Sequence, residues 1–212
     1  MIVTDGILFD VDGTLWDSTV PAAEVWQRVA AEYPEITDEI SAERLKSFYG
    51  LPLEDIAKRM FLSVPFEKAL SVMERCVREQ CPYLLDHKGV LLGDVGGVFR
   101  KLKEMGIKVF IVSNCRAGYI EAFLKAYGYE DLCLDHLCPG DTGVLKADNI
   151  RRIVEKWGLK APVYVGDTDG DEVASRDAGV PFIFAAYGFG KADSFAEKIE
   201  KLEDLPGVVE KA

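Results

Sequence analysis

Phe9-Asp10-Val11-Asp12-Gly13-Thr14-Leu15 closes the first apolar run of the chain. Ile7, Leu8 and Phe9 before the acids read as a short, buried parallel strand. Gly13 and Thr14 then break that strand, because glycine tolerates backbone angles a strand cannot use. Ligands of open α/β sheets sit beyond the carboxyl ends of the strands, so Asp10 and Asp12 project into the expected site. Like charges so close raise each other's pKa unless a cation lies between them, and a divalent metal is the simplest remedy. The segment alone also fits a loop followed by a helix cap, a common use of Asp.

Further along the chain, Ser113-Asn114 follows the apolar run Lys108-Val109-Phe110-Ile111-Val112, and Lys146 ends Gly143-Val144-Leu145-Lys146. Gly166-Asp167-Thr168-Asp169-Gly170-Asp171 follows Val163-Tyr164-Val165. Taken singly, these residues have plainer readings: Ser113 caps a helix, Lys146 is solvated at a helix start, and Asp169 caps or faces water.

Between the first and second of these motifs the pattern is helical. Ser18 or Thr19 caps a helix with Pro21 in its first turn, carrying Ala22, Val25, Trp26 and Val29 on one stripe and ended by Pro34. Shorter helices are expected near 41–48 and 53–61. A longer one follows Pro65, with Phe66, Ala69, Leu70, Met73, Cys76, Val77 and Gln80 on one face. No strand is expected between Trp16 and Leu85. Beyond Gly93, helices carrying Val95, Val98, Phe99 and Leu102, then Ile120, Phe123, Leu124 and Tyr127, then Ile150, Ile153, Val154 and Trp157 alternate with strands. The strands are placed at 107–112, near 134–138, at 162–165 and at 181–184; a helix at about 171–178 and a charged amphipathic segment at 191–202 complete the chain. This alternation indicates an α/β fold: a doubly wound, mostly parallel, Rossmann-like sheet with an inserted helical bundle. The expected domains are a core of residues 1–15 and 87–212 and a helical cap of residues 16–86, hinged near 15–18 and 84–89.

Length and composition suit one moderate domain, or one with a smaller insert: 212 residues, 49% hydrophobic and 29% charged. The formal net charge of -11 argues against nucleic acid or an anionic membrane surface as partner, and an anionic substrate must be drawn in by local positive features. No signal-like segment opens the chain and no apolar run is long enough to span a bilayer, so a cytoplasmic monomer or homodimer is expected. The five cysteines form no CxxC pair and read as reduced fillers. His87 and His136 are too isolated to suggest a metal centre or triad.

The four motifs, in this order, resemble those of the haloacid dehalogenase superfamily, in its subgroup of small, helically capped phosphatases, with phosphoglycolate phosphatases the nearest familiar kind. The likeness covers nearly the whole chain and implies phosphoryl transfer. By resemblance Asp10 is the nucleophile, and Asp12 protonates the leaving alcohol and then activates water; spacing alone does not say which Asp attacks. Ser113 would bond a phosphate oxygen, Asn114 would help through its backbone N–H, and Arg116 would touch the substrate, although an Arg there is equally a surface residue. Lys146 would offset the charge of the nucleophile and the transferring group; the family's usual Pro after it is Ala147 here. Asp10, the Asp12 carbonyl, Asp167 and Asp171 would hold Mg2+, Asp171 directly or through water.

Among functions, hydrolysis of a small phosphorylated metabolite competes with a β-phosphoglucomutase-like mutase and with a non-catalytic binding protein. Asp12 argues against dehalogenation, which needs no acid for an alkoxide. Gly50-Leu51-Pro52-Leu53-Glu54-Asp55 resembles the mutase cap loop, but Leu53 stands near where a mutase carries Arg, and Gly166 where it carries an acid. Both departures favour hydrolysis. Apolar Leu51, Pro52 and Leu53 suggest no strong demand for a second anionic group.

Overall fold

A computed structural model describes residues 1–212. In chain order it runs β1 (Ile2–Thr4), β2 (Gly6–Phe9), β3 (Trp16–Asp17), α1 (Thr19–Ala30), α2 (Ala42–Lys46), α3 (Leu53–Met60), α4 (Phe66–Asp86) and β4 (Val90–Leu91). There follow α5 (Val95–Glu104), β5 (Lys108–Val112), α6 (Tyr119–Tyr127), β6 (Asp135–Leu137), α7 (Pro139–Thr142), α8 (Lys146–Trp157) and β7 (Pro162–Gly166). The chain closes with α9 (Asp169–Ala178), β8 (Phe182–Ala185), β9 (Glu197–Ile199), α10 (Leu205–Val208) and β10 (Val209–Lys211).

The central sheet has six strands in the order β6-β5-β2-β7-β8-β9. Every pairing in it is parallel. Alternation along the strands separates two apolar layers. Ile7, Phe9, Val109, Ile111, Val163 and Val165 face α5 and α6 in one cluster. Leu8, Phe110, Val112 and Tyr164 face Ile150 and Ile153 of α8 and Ala174 of α9 in another. The chain leaves β2 for β5 on one side and returns to β7 on the other, so the order reverses at β2. That reversal opens a crevice beyond the carboxyl ends of β2, β5 and β7, where a doubly wound sheet binds its ligand.

Helices α1 to α4 enclose their own apolar cluster, with Trp26, Leu45, Ile56, Met60, Phe61 and Met73 within it. The long helix α4 buries Val72 and Leu84 besides the expected Ala69, Met73 and Cys76, whereas Phe66 at its first turn is 39% exposed. Gln80 is buried on this face because its side-chain oxygen accepts from Trp26 Nε1 at 2.8 Å.

Four details depart from the sequence reading. A separate strand precedes the one expected at Ile7 to Phe9: Asp5 accepts from the N–H groups of Lys160 and Ala161, and β1 pairs with β10 in its own parallel ribbon. A short antiparallel pair, β3 with β4, stands where no strand was expected, and joins the two ends of the helical block. Helix α1 stops at Ala30, before Pro34, in a turn closed by Tyr33 N–H on the Ala30 carbonyl. The 191–202 segment carries the edge strand β9, which pairs with β8. No helix is long and apolar enough to cross a membrane.

Candidate active site

Asp10, Ser113 and Asp167 each stand one residue past the end of β2, β5 and β7, so three neighbouring parallel strands deliver them to the same crevice. All three are buried, as are Lys146 and Asp171. Lys146 is the first residue of α8 and reaches in over the Tyr164 ring. Its Nζ donates to Asp10 Oδ1 at 2.8 Å and to Asp171 Oδ1 at 2.7 Å. Burial works against this ammonium, but the negative charges of Asp10 and Asp171 outweigh it and hold the pKa well above the ordinary lysine value. Burial in turn raises the Asp10 carboxyl, with Lys146 opposing the rise and Ser113 hydrogen-bonding beside it.

Asp171 is held by donors on both oxygens. Besides Lys146, the Tyr164 hydroxyl lies 3.3 Å from Oδ1, while Oδ2 accepts from the Asp167 and Thr168 N–H groups and from Thr168 Oγ1 at 2.7 Å. Thr168 and Asp171 form a capping box at the start of α9. Asp167 accepts from Thr14 Oγ1 at 3.1 Å and from the Phe189 N–H at 2.8 Å, which leaves lone pairs free on both oxygens. Burial and then the charges of Asp171 and Asp10 push its pKa well up. Asp169, by contrast, is exposed and only accepts from the Gly170 N–H.

Carboxylate oxygens of Asp10, Asp167 and Asp171 all lie within 4.8 Å of one another. Three buried carboxylates face one ammonium, an excess of negative charge that a divalent cation offsets. The donor set is all oxygen, as hard cations require. The approach is also kept narrow by glycine: a Cβ at Gly13, whose φ is +81°, would fall 2.2 Å from Asp167 Oδ2. The residues present therefore fit Mg2+, with Asp10 and Asp167 the better placed ligands and Asp171 already engaged by protein donors.

Asp12 lines a solvent-open cleft between the helical block and the sheet. Its Oδ1 accepts from Tyr119 Oη at 2.6 Å and lies 3.3 Å from Ser18 Oγ. Burial, then the nearby Asp10 charge, push its pKa up to about 8 against those hydroxyls. Ser18 precedes α1 but its hydroxyl is spent here rather than on the helix; Asp17 Oδ1 accepts the Thr19 N–H instead. The far wall of the cavity is apolar, with Trp26, Leu51, Leu53, Ile56 and Val77.

Two expected substrate residues prove to be tied to the helical block. The Asn114 side chain donates to the Gly50 carbonyl at 2.9 Å. Arg116 lines the cavity but pairs with Glu74 at 3.5 Å and Glu54 at 3.9 Å. Tyr119, Tyr164, Thr168 and Ser18 were not singled out as site residues. Only Thr168 left a signal, as a Thr three residues before an acid at a helix start. The cysteines are free, and burial beside Cys138 keeps the Cys115 thiol protonated, its pKa raised well above the ordinary value.

The six-stranded doubly wound sheet thus makes this an α/β protein with its acids, lysine and serine gathered at the switch point. Residues 7–185 match the family model described as haloacid dehalogenase-like hydrolase, and the chain belongs to that family. It is 28% identical to the phosphoglycolate phosphatase of Xanthomonas campestris pv. campestris, covering 94% of this chain and 92% of that protein. It is also 28% identical to the phosphoglycolate phosphatase of Aquifex aeolicus, covering 89% and 87%. The fold is shared with a haloacid dehalogenase-like family hydrolase of Streptococcus pneumoniae at a TM-score of 0.80, with 19% identity over 96% of this chain and 97% of that one.

Proposed function

We propose that this protein is a Mg2+-dependent phosphatase that hydrolyses a small phosphomonoester through an aspartyl-phosphate on Asp10. The observation that carries the reading is Lys146 seated between Asp10 and Asp171 at the joint end of three strands. The phosphatase names of the relatives support it.

In this reading the substrate phosphoryl group lies against Asp10, with Ser113 and the Asn114 N–H on its oxygens. Lys146 neutralises charge as the Asp10 oxygen bonds to phosphorus. Asp12 gives its proton to the departing alkoxide as the P–O bond breaks, leaving an alcohol, and then takes a proton from the water that attacks the phosphoenzyme. Asp10, Asp167 and the Asp12 carbonyl would hold Mg2+, which supplies charge neutralisation on the phosphoryl oxygens. Asp171 serves chiefly by fixing Lys146. Residues 16–86 form the cap, hinged at the β3–β4 pair, and its closure excludes bulk water while the phosphoryl group passes to Asp10.

The same site disfavours a mutase. A Cβ at Gly166 would fall 2.5 Å from Asp171 Cγ, which leaves no room for an acidic side chain there. The cap wall is apolar, and Arg116, the cation beside it, is engaged by Glu54 and Glu74. This wall favours an ester whose alcohol bears no second strong anion. Phosphate release from p-nitrophenyl phosphate, with and without Mg2+, tests the chemistry in wild type and Asp10→Asn. Metal-dependent release that vanishes in the variant is expected; release that persists would remove Asp10 as nucleophile. A panel of neutral, carboxylate-bearing and bisphosphate esters tests the substrate class, and much faster turnover of the anionic members would overturn it.

A further inference from the structure

The Asp12 carboxyl has two unlike oxygens. Oδ1 accepts from Tyr119 Oη at 2.6 Å and lies 3.3 Å from Ser18 Oγ, whereas Oδ2 takes no protein hydrogen bond. Tyr119 Oη and Ser18 Oγ are themselves 2.6 Å apart, and Ser18 Oγ is 3.3 Å from Tyr49 Oη in the loop between α2 and α3. Tyr49 lines the cavity beside Gln80, which accepts from Trp26 of α1. A line of hydroxyls thus runs from the helical block through the start of α1 to α6 and ends on the acid. The Tyr119 ring is fixed from its other side by Trp16 of β3, edge to face at a centroid distance of 5.6 Å. A tyrosine has one proton to donate, and here it goes to Oδ1.

We propose that Tyr119 is a positioning residue for the general acid: by donating to Oδ1 it turns the proton-bearing Oδ2 of Asp12 toward the bridging oxygen of the bound ester. This rests on the assignment of Asp12 as acid made above. Ser18 donates to Tyr119 Oη and so holds the tyrosine on the acid, and Tyr49 links that support to the cap loop. The proton then travels from Oδ2 to the alkoxide as the P–O bond breaks, and the resulting carboxylate stays anchored through Oδ1 for the second half-reaction.

Leaving-group dependence separates this role from a structural one. p-Nitrophenolate departs unaided as an anion, whereas an alkoxide needs the proton. kcat/KM, which reports steps through phosphoenzyme formation, is measured on ethyl phosphate and p-nitrophenyl phosphate for wild type, Tyr119→Phe, Ser18→Ala and Asp12→Asn. Tyr119→Phe is expected to lose about 10-fold more on ethyl phosphate than on p-nitrophenyl phosphate, a part of the 10²–10⁴-fold that general acid catalysis supplies. Ser18→Ala should show the same bias more weakly, and Asp12→Asn more strongly. Phenylalanine keeps the ring against Trp16, and an unchanged melting temperature confirms the fold. Equal losses on both esters, or no loss, in Tyr119→Phe would overturn the positioning role while leaving the acid in place. No bias in Asp12→Asn would remove the acid itself, and the Tyr119 role with it.

Discussion

Lys146 is the side chain whose environment makes the sharpest demand. It is 3% exposed and bonded to two carboxylates. Removing one partner of a buried ion pair costs about 3–5 kcal/mol, because the charge left behind has lost its counter-ion. Lys146→Met should therefore lower stability by about that amount in chemical denaturation without added metal. Adding Asp10→Asn to it should recover part of the loss, since the repulsion between Asp10 and Asp171 goes with the charge. A double variant no more stable than Lys146→Met would mean the two acids do not share the lysine. Both variants should be inactive, as the nucleophile is left either unneutralised or absent.

At the scale of elements, the site depends on how α8 and α9 begin. Helix α9 starts with a reciprocal cap, Thr168 Oγ1 accepting the Asp171 N–H while Asp171 accepts the Thr168 N–H. Thr168→Ala should cost about 1 kcal/mol, the usual value of an N-cap, read as a shifted urea midpoint. It should lower turnover as well, because Asp171 also fixes Lys146; a stability loss with full activity would confine Thr168 to the helix. These elements were legible in the sequence where the pattern was long enough. Val109 to Val112 and Val163 to Val165 read as buried strands, and the acids, Ser113 and Lys146 following such runs or opening a helix were found where the structure places them. The β3–β4 pair was not legible, since two residues cannot display a period of two. Nor was Tyr119, whose partner Asp12 lies 107 residues away and whose neighbours in sequence form an ordinary amphipathic helix. Arg116 was noticed, but its partners on α3 and α4 come from another layer of the fold, and no local spacing announces them.

For the whole molecule, the crevice concentrates acid that the fold alone does not neutralise. Burial raises Asp10 and Asp167, and Asp12 is pushed up to about 8. A carboxyl whose folded pKa exceeds its unfolded value near 4 contributes stability that is complete below pH 4 and is lost as pH rises toward the folded value. Metal-free protein should thus lose stability from these groups as pH rises above about 4, the Asp12 share being lost by about pH 8. Asp12→Asn, neutral throughout, should gain on the wild type across that window. Oxygen ligands must be ionised to bind a cation, so occupation by Mg2+ follows the opposite course and strengthens as the carboxyls release their protons. A ligand that binds only the folded state raises its stability by RT ln(1 + [L]/Kd). The melting temperature, measured with and without Mg2+ at several pH values, should accordingly show a small metal-induced rise at pH 5 and a larger one at pH 8. Asp167→Asn, which removes a ligand outside the proposed covalent chemistry, should abolish most of that rise. An equal rise at both pH values, or one that survives in Asp167→Asn, would place the cation elsewhere on this acidic surface and leave the crevice carboxylates to be balanced by protons and Lys146 alone.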